Sequence, residues 1–308
     1  MIGDTAALAD LARPRPEKPS HRGAPRAAWY PVCRQGRGRG LRRVMLHGQE
    51  LTVDQSGPSP VLAGPDAEDW QATAALGMVW VRRVGGVDDA TVPPLPAEDL
   101  EPDMVQVCYS VVRVATDYDQ AVLGLVDPAH VPMVHNSWWW RSDPVRKVKT
   151  KQYTPSPYGF TAVSCDAFAS APVYDLVGQD RSVSIEFRLP SARVETVRSK
   201  GFRLCNLTTV TPEVDGRITL RNLIFCNQPL LVPARPVLSW LGRRFLSQDA
   251  EILETLDSEA DTGRPLFAGP PDQPSLWYYA CKRALLKAQG SGAAFDNPVE
   301  PSILRWRT

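Results

Sequence analysis

Residues 123–135 read LGLVDPAHVPMVH and place two of the chain's four histidines, His130 and His135, within one six-residue window. Asp127 followed by Pro128 is typical of an N-cap with proline at the first helical position, so a helical turn is expected to begin there. Neutral imidazole is a common ligand of iron, zinc and copper. The window therefore indicates a possible metal site.

Helical spacing alone does not bring these two histidines together. On a regular helix two residues five apart lie about 140° apart, which is too far round to share a small ion. Pro132, between them, removes a backbone hydrogen bond and distorts the turn, which can bring both imidazoles to one side. Alternatively, both histidines are ordinary core or surface residues and Asp127 only caps a helix. The spacing leaves both interpretations open.

A third metal ligand would have to come from elsewhere, because His21 and His47 both lie near the N-terminus. Leu238–Leu256 is expected to be an amphipathic helix with Asp249 at the border of its apolar face. An acid directed toward the interior needs a cation or a dense set of hydrogen bonds, although Asp249 could also be a surface residue of this helix. Two histidines and one carboxylate are the ligand set of non-haem iron oxygenases. The expected apolar face consists of Leu241, Phe245, Ile252, Leu253 and Leu256.

The pattern Asp127-x-x-His130-x-x-x-x-His135, followed much later by Gln248-Asp249, resembles the catalytic domain of Rieske non-haem iron oxygenases. It looks closest to the branch that contains pheophorbide a oxygenase and the O- and N-demethylases. The resemblance implies a helix-grip (START/SRPBCC-like) fold, in which a curved antiparallel sheet wraps around a long helix. It also implies His130, His135 and Asp249 as ligands of one mononuclear Fe(II), with Asp127 orienting a ligand histidine and bridging to the electron donor's cluster.

Residues 29–98 resemble the scaffold of a Rieske domain without its cluster. Such a domain holds a [2Fe–2S] cluster with two cysteines and two histidines, in Cys-x-His and Cys-x-x-His motifs. None of the six cysteines is followed by a histidine two or three residues later. We therefore expect a degenerate Rieske-like domain with no [2Fe–2S] cluster, and electrons supplied by a separate Rieske-cluster-bearing subunit or reductase.

The predicted organisation is a flexible arm at 1–28, the degenerate Rieske-like β domain at 29–98 and a helix-grip iron domain at 99–308. Strand and helix patterns predict an α+β domain whose antiparallel sheet folds against helices. The strands are expected at 41–47, 50–53, 77–82, 105–114, 182–188, 193–197 and 218–225, with helices at about 117–135, 238–256 and 277–287, and a turn at Gly48-Gln49.

Composition excludes several classes of protein. Lys and Arg number 35 against 34 Asp and Glu, which gives no reason to expect a nucleic acid or an anionic membrane as partner. No apolar run is long enough to suggest a membrane span, and no signal peptide is evident. The scattered cysteines are expected to be reduced thiols of a cytoplasmic protein.

The expected function is that of an oxygenase component. It would use Fe(II) and O2 to hydroxylate or oxidatively demethylate an apolar, aromatic or polycyclic small molecule. The resemblance to Rieske oxygenases further implies a trimer or hetero-trimer. The alternative is a non-catalytic helix-grip protein, either a ligand carrier or a structural subunit of a hetero-oligomeric oxygenase.

Overall fold

The fold is described by a computed structural model for residues 23–36, 40–85, 100, 102–129, 148–164, 182–214, 216–255 and 269–307. In its N-terminal part, the described strands form two small antiparallel sheets, with strand orders β1-β6-β5 and β2-β3-β4. Their bounds are β1 Tyr30–Arg34, β2 Leu41–Leu46, β3 Gln49–Asp54, β4 Val61–Ala63, β5 Trp70–Ala75 and β6 Met78–Arg83, with a 3-10 turn at Ala67–Asp69.

The hairpin between β2 and β3 turns one residue earlier than predicted. The turn residues are His47 and Gly48, at φ 52° and φ 79°, rather than Gly48 and Gln49. Two positive φ values at the centre of a two-residue loop match the right-handed twist of a hairpin. The sequence pattern did not indicate that His47 adopts a positive φ, because few non-glycine residues do so, although histidine is among those that do so more often.

The described strands that follow form one eight-stranded antiparallel sheet, with the order β14-β8-β9-β10-β11-β12-β13-β7. β-branched and aromatic residues dominate several of these strands, as expected for a sheet covered by other elements. The strands are β7 Val105–Val114, β8 Val148–Ser156, β9 Gly159–Ser164, β10 Ser182–Arg188, β11 Ala192–Ser199, β12 Phe202–Val214, β13 Arg217–Cys226 and β14 Ser302–Arg307.

Three α-helices lie in the described part of the chain: α1 Tyr118–Val126, α2 Arg235–Thr255 and α3 Gln273–Ser291. The prediction of one helical stretch over 117–135 is wrong at Asp127, which is extended at φ −67° and ψ 114°. The proline at position 128 accounts for this break, because a residue before proline is disfavoured in the helical region. None of the described helices is long and apolar enough to span a membrane.

The register of the large sheet defines a side that faces the helices. Cross-strand partners share a side, so Ser110, Asn222, Thr208, Arg193 and Phe187 lie in one row across β7, β13, β12, β11 and β10. α2 lies against this side, since a Cβ at its Gly242 would fall 2.5 Å from Ser110 Oγ. This side is called the helix-facing side below.

Aromatic packing fixes α3 to the same side of the sheet. Trp277 lies with its ring centroid 5.1 Å from that of Tyr153 and 5.5 Å from that of Phe160. The neighbouring Tyr278 meets Phe187 edge to face, with centroids 5.7 Å apart. Large aromatic surfaces of this kind dominate the energy of a core. They hold α3 over β8, β9 and β10.

The N-terminal strands pack on the opposite side of the sheet. The buried guanidinium of Arg221 donates to Thr211 Oγ1 at 2.8 Å and to the Val32 carbonyl at 2.7 Å. Thr211 Oγ1 in turn donates to the Pro31 carbonyl at 2.8 Å. Buried hydrogen bonds thus hold β1 against β12 and β13.

The expected α+β class is confirmed as a mixed, sheet-rich fold with helices against an antiparallel sheet. The helix-grip assignment stays a prediction. One detail of the predicted apolar face is wrong, because Ile252 is 42% exposed while Leu246 and Ala250 are buried. The buried face of α2 therefore includes Leu246 and Ala250 in place of Ile252.

Residues 23–28, part of the predicted flexible arm, are packed. Ala28 is buried, and the Gly23 N–H donates to Asp119 Oδ2 at 3.2 Å. The phenol of Tyr30 donates to the Pro25 carbonyl at 3.0 Å. The rest of that arm lies outside the described residues.

Candidate metal site on the helix-facing side

Asp249 lies on the inward face of α2. Its helical neighbours Leu246, Ala250 and Leu253 are all buried, which is the spacing of one helix face. Burial raises the pKa of Asp249 to about 7, and the positive charge of Arg193 opposes that rise without cancelling it. Asp249 is therefore directed inward, which is one of the two interpretations that the sequence leaves open, and a nearby cation would favour its ionised form.

Asp127 lies at the end of α1, where its backbone N–H donates to the Leu123 carbonyl at 3.0 Å. Its side-chain Oδ1 accepts the Ala129 N–H at 2.7 Å. An aspartate that accepts the N–H two residues on forms an Asx turn, and an N-cap makes the same bond; the helix that Asp127 was predicted to cap lies outside the described residues. The bond also fixes the direction of the Asp127 carboxylate just before His130.

α1, which ends just before Asp127, contacts α2, which carries Asp249. The charge of Arg193 opposes the rise in the pKa of Asp249, and Arg193 and Asp127 both act on the pKa of Lys151. Burial is the main cause that lowers the pKa of Lys151 to about 8. Arg193 Nη1 lies 3.0 Å from Glu195 Oε2 in an ion pair that is largely withdrawn from solvent.

Sequence reasoning missed Arg193, Glu195 and Lys151. The signal was present for two of them, because Arg193 and Glu195 lie two residues apart in a predicted strand and must share a side. The sequence does not show which side of the sheet is covered by helices. That depends on pairing between strands far apart in the chain.

Polar side chains continue this row toward β7. Asn222 Nδ2 donates to Asn206 Oδ1 and, at 3.0 Å, to Thr208 Oγ1. At the far end, Ser110 Oγ donates to the Ser239 carbonyl at 2.9 Å and ties β7 to α2. Polar groups in a covered sheet face need partners to offset desolvation, and these residues supply them to each other.

The two histidines of the expected site, His130 and His135, lie outside the described residues. Within the described ranges there is no group of three or more His, Cys, Asp or Glu side chains that could hold a metal ion. The structure thus brings together α1 and α2, the helices that lead to Asp127 and carry Asp249. The donor chemistry fits iron, since Asp249 is an inward carboxylate and the expected partners are imidazoles.

In the N-terminal strands, Cys33 and His47 have structural partners. Buried Cys33 Sγ accepts a contact from Gln55 Nε2 at 3.5 Å, and burial raises the pKa of its thiol. His47 meets Tyr30 edge to face with ring centroids 5.2 Å apart, and burial lowers the pKa of its imidazole to about 4. Packing surrounds both side chains, while His47 Nε2 is buried without a hydrogen-bond partner among the described residues.

At the level of sequence, no protein-family model and no curated protein matches the chain. Solved structures do match it over most of its length. NdmA of Pseudomonas putida CBB5, as a QL mutant with theobromine, is 15% identical with a TM-score of 0.64, covering 90% of this chain and 96% of that one. NdmB of the same organism is 17% identical with a TM-score of 0.55 over the same shares.

Dicamba monooxygenase bound to 3,6-dichlorosalicylic acid is 13% identical with a TM-score of 0.63, covering 86% of this chain and 97% of that one. These neighbours are Rieske non-haem iron oxygenases. At such low identities the likeness establishes a shared fold. The coarse fold expected from the sequence motif is therefore confirmed.

Proposed function

We propose that the chain is an oxygenase component that uses mononuclear Fe(II) and O2 to hydroxylate or oxidatively demethylate an apolar aromatic or polycyclic molecule. The observation that carries this proposal is the carboxylate of Asp249 on the inward face of α2, a helix that contacts α1 just before Asp127, which lies three residues before His130 in the sequence. Its support is the fold shared with Rieske oxygenases.

In this proposal His130, His135 and Asp249 hold the metal. Fe(II) at such a site supplies activation of dioxygen when it is bound. Asp249 has to lose its proton to act as a ligand, and a divalent cation beside it favours the ionised form. Arg193 contributes positive charge to the same carboxylate and so favours that form as well.

Asp127 acts on the metal site from outside its ligand set. The Ala129 N–H donates to one carboxylate oxygen at 2.7 Å, so the group has a defined direction three residues before His130 in the sequence. A carboxylate that accepts the free N–H of a ligand histidine fixes the tautomer and orientation of that ring. We propose that Asp127 does this and bridges to the cluster of the electron donor.

Electrons would come from another protein, because the chain lacks both cysteine–histidine motifs of a [2Fe–2S] site. The match to NdmA covers 90% of the 308 residues, more than residues 99–308 alone could supply. This supports residues 29–98 as a degenerate counterpart of the Rieske domain. A cluster-bearing subunit or a reductase is the proposed donor, in a trimer or hetero-trimer.

The proposed substrate class is inferred from the ligands bound in the similar solved structures. NdmA has been solved with theobromine and with caffeine, and dicamba monooxygenase with dicamba. All three compounds are small aromatic molecules with N- or O-methyl groups. Oxidative removal of a methyl group is therefore a specific form of the proposed reaction.

The iron content of anaerobically purified protein tests the proposal. We expect about one iron per chain in the wild type, and loss of the iron in Asp249→Ala because the carboxylate ligand is removed. Glu251→Ala is the matched control, since Glu251 is an exposed acid two residues further along α2. Iron retained in Asp249→Ala, or absent from the wild type, would overturn the proposal and favour the non-catalytic alternative.

A further inference from the structure

The start of α2 and the turn before it expose large apolar side chains. A 3-10 helix at Pro229–Ala234 leads directly into α2, since Arg235 already has the φ and ψ of a right-handed helix. Along this segment Leu230 is 87% exposed, and Val237 and Trp240 are each 60% exposed. A single exposed apolar residue is ordinary, but several on one continuous helical segment mark an interaction surface.

Val237 and Trp240 lie on the side of α2 that is turned away from the large sheet. An α-helix turns about 100° per residue, so Val237, Trp240 and Arg244 share one face. Gly242 lies on the opposite face, where an added Cβ would fall 2.5 Å from Ser110 Oγ of β7. The exposed apolar side chains therefore belong to the outer face of α2.

The charged residues of this segment are all positive. Residues 228–248 contain Arg235, Arg243 and Arg244 and no aspartate or glutamate. All three arginines are exposed. The near-zero net charge of the whole chain conceals this local excess, because the acids that balance it lie elsewhere in the sequence. A basic amphipathic helix is typical of a protein that binds a membrane surface.

A neighbouring turn adds to the positive charge. The turn between β11 and β12 carries the exposed Lys200, and the carbonyl of the next residue, Gly201, accepts a hydrogen bond from Gln228 Nε2 at 3.4 Å. Gln228 immediately precedes the 3-10 helix, so this turn lies beside the start of the apolar segment. Arg203 on β12 is not counted, because it forms an ion pair with Asp103.

We propose that the exposed face of residues 230–244, with Lys200 beside it, docks onto an anionic lipid surface. The leucine and tryptophan side chains enter the boundary between head groups and acyl chains, and the arginines contact lipid phosphates. Charges of one sign favour this occupant over a second copy of the chain, because a symmetric contact between two such faces would bring like charges together. The docking does not depend on the proposed oxygenase function.

Co-sedimentation of the full chain with lipid vesicles tests this proposal. One set of vesicles contains phosphatidylcholine alone, and the other contains about 30 mol% phosphatidylglycerol in phosphatidylcholine. We expect the anionic vesicles to bind the chain at least about tenfold more tightly than the neutral ones at about 0.1 M salt. The difference should shrink at about 0.5 M salt, because salt screens the attraction between the arginines and the lipid phosphates.

Two double variants separate the apolar from the charged contribution. Leu230→Ser/Trp240→Ser removes the two largest exposed apolar side chains and should weaken binding to anionic vesicles at least about tenfold. Arg243→Gln/Arg244→Gln should weaken the same binding at least about tenfold and abolish most of its salt dependence. The changed side chains are exposed, so circular dichroism of each variant should match that of the wild type.

The matched controls change similar side chains elsewhere on the molecule. Ile303→Ser removes an apolar side chain on β14 that is 61% exposed, and Arg283→Gln removes an exposed charge on α3. Both variants should bind anionic vesicles as the wild type does. Weakening of binding by the controls as strong as that by the two double variants would contradict docking through residues 230–244.

The other possible occupants give different results, each of which overturns the proposal. No binding of the wild type to either kind of vesicle rejects a lipid surface. Loss of binding in Arg243→Gln/Arg244→Gln but not in Leu230→Ser/Trp240→Ser indicates a purely electrostatic surface, as for an acidic protein partner. An oligomer that Leu230→Ser/Trp240→Ser dissociates, in a wild type that does not bind vesicles, identifies the surface as a contact between copies of the chain.

Discussion

The Asp127 carboxylate is held by one short backbone contact, which makes its role testable without disturbing the fold. Asp127→Asn retains an oxygen that can accept the Ala129 N–H but loses the negative charge. We expect iron to stay bound and donor-dependent turnover to fall about 10- to 100-fold, the range for outer partners of metal ligands. Unchanged turnover at full iron content would show that Asp127 is only a helix cap.

At His47 the structure predicts a pH dependence of stability. Burial, followed by the charges of Arg26 and Arg83, lowers the imidazole pKa from 6.5 to about 4 in the folded chain. Below pH 6.5 the unfolded chain takes up a proton that the folded chain does not, so stability falls as pH drops from 6.5 toward 4. The expected loss from this residue is up to about 2 kcal/mol at pH 5.

The variant His47→Asn isolates this effect, because asparagine tolerates the φ of 52° at this turn and does not titrate. Urea unfolding at pH 7 and pH 5 gives the change in free energy of unfolding for each protein. The wild type should lose more stability between the two pH values than the variant. Equal losses would mean that His47 does not set the pH dependence.

Among the elements, α2 carries Asp249 and packs closely on β7, so a substitution at their contact should affect both stability and the proposed metal site. A Cβ at Gly242 would lie 2.5 Å from Ser110 Oγ and 2.9 Å from Cys108 Sγ. Gly→Ala in a helix interior normally gains about 1 kcal/mol. Here we expect Gly242→Ala to destabilise the protein instead and to weaken iron binding, since the displaced helix moves Asp249.

The control for this prediction is Gly290→Ala on α3, where an added Cβ meets nothing within 4 Å. It should be neutral or stabilising in thermal unfolding. The double variant Gly242→Ala/Ser110→Ala removes the nearest contact and should recover part of the loss. A stable Gly242→Ala protein with normal iron content would show that the approach of α2 to β7 is not tight.

The elements also show what sequence patterns can reveal. The strand predicted at 105–114 has the bounds of β7, and the helix over 238–256 corresponds to α2, because both patterns are long and regular. β14 was missed, since it is short and depends on pairing with β8, far away in the chain. The same non-local pairing decides which side of β11 faces the helices, so Arg193 was missed as well.

For the whole molecule, Arg221 couples the N-terminal strands to the large sheet. Its hydrogen bonds to Thr211 and to the Val32 carbonyl are buried, and its loss leaves those acceptors without a donor. We expect Arg221→Met to cost about 3 kcal/mol of stability. Hydrogen exchange should rise in β1 more than in β8–β11, because β1 loses its attachment.

Arg217→Met is the matched control, since Arg217 is exposed on the same strand. Its exchange pattern should equal that of the wild type. Uniform exchange changes across the Arg221→Met protein would contradict a separate attachment of the N-terminal strands and indicate a single cooperative unit.

For the whole chain, the sequence motif was most informative about the fold. Asp127, His130, His135 and Asp249 indicated a Rieske-oxygenase-like fold at identities of 13–17% to solved neighbours. A short motif can indicate a fold at such identities because a functional site needs few residues, whereas the rest of the sheet can change freely if its alternation is kept; the metal site itself stays a prediction. The charged row around Arg193 and Lys151 has no such fixed pattern.

Anomalous diffraction at the iron edge, from crystals of protein loaded anaerobically with Fe(II), tests the central claim most directly. The account predicts one strong peak on the helix-facing side, at bonding distance from a carboxylate oxygen of Asp249 and from the imidazoles of His130 and His135. A peak elsewhere, or no peak with the Asp249 carboxylate bound only by protein groups, would contradict it.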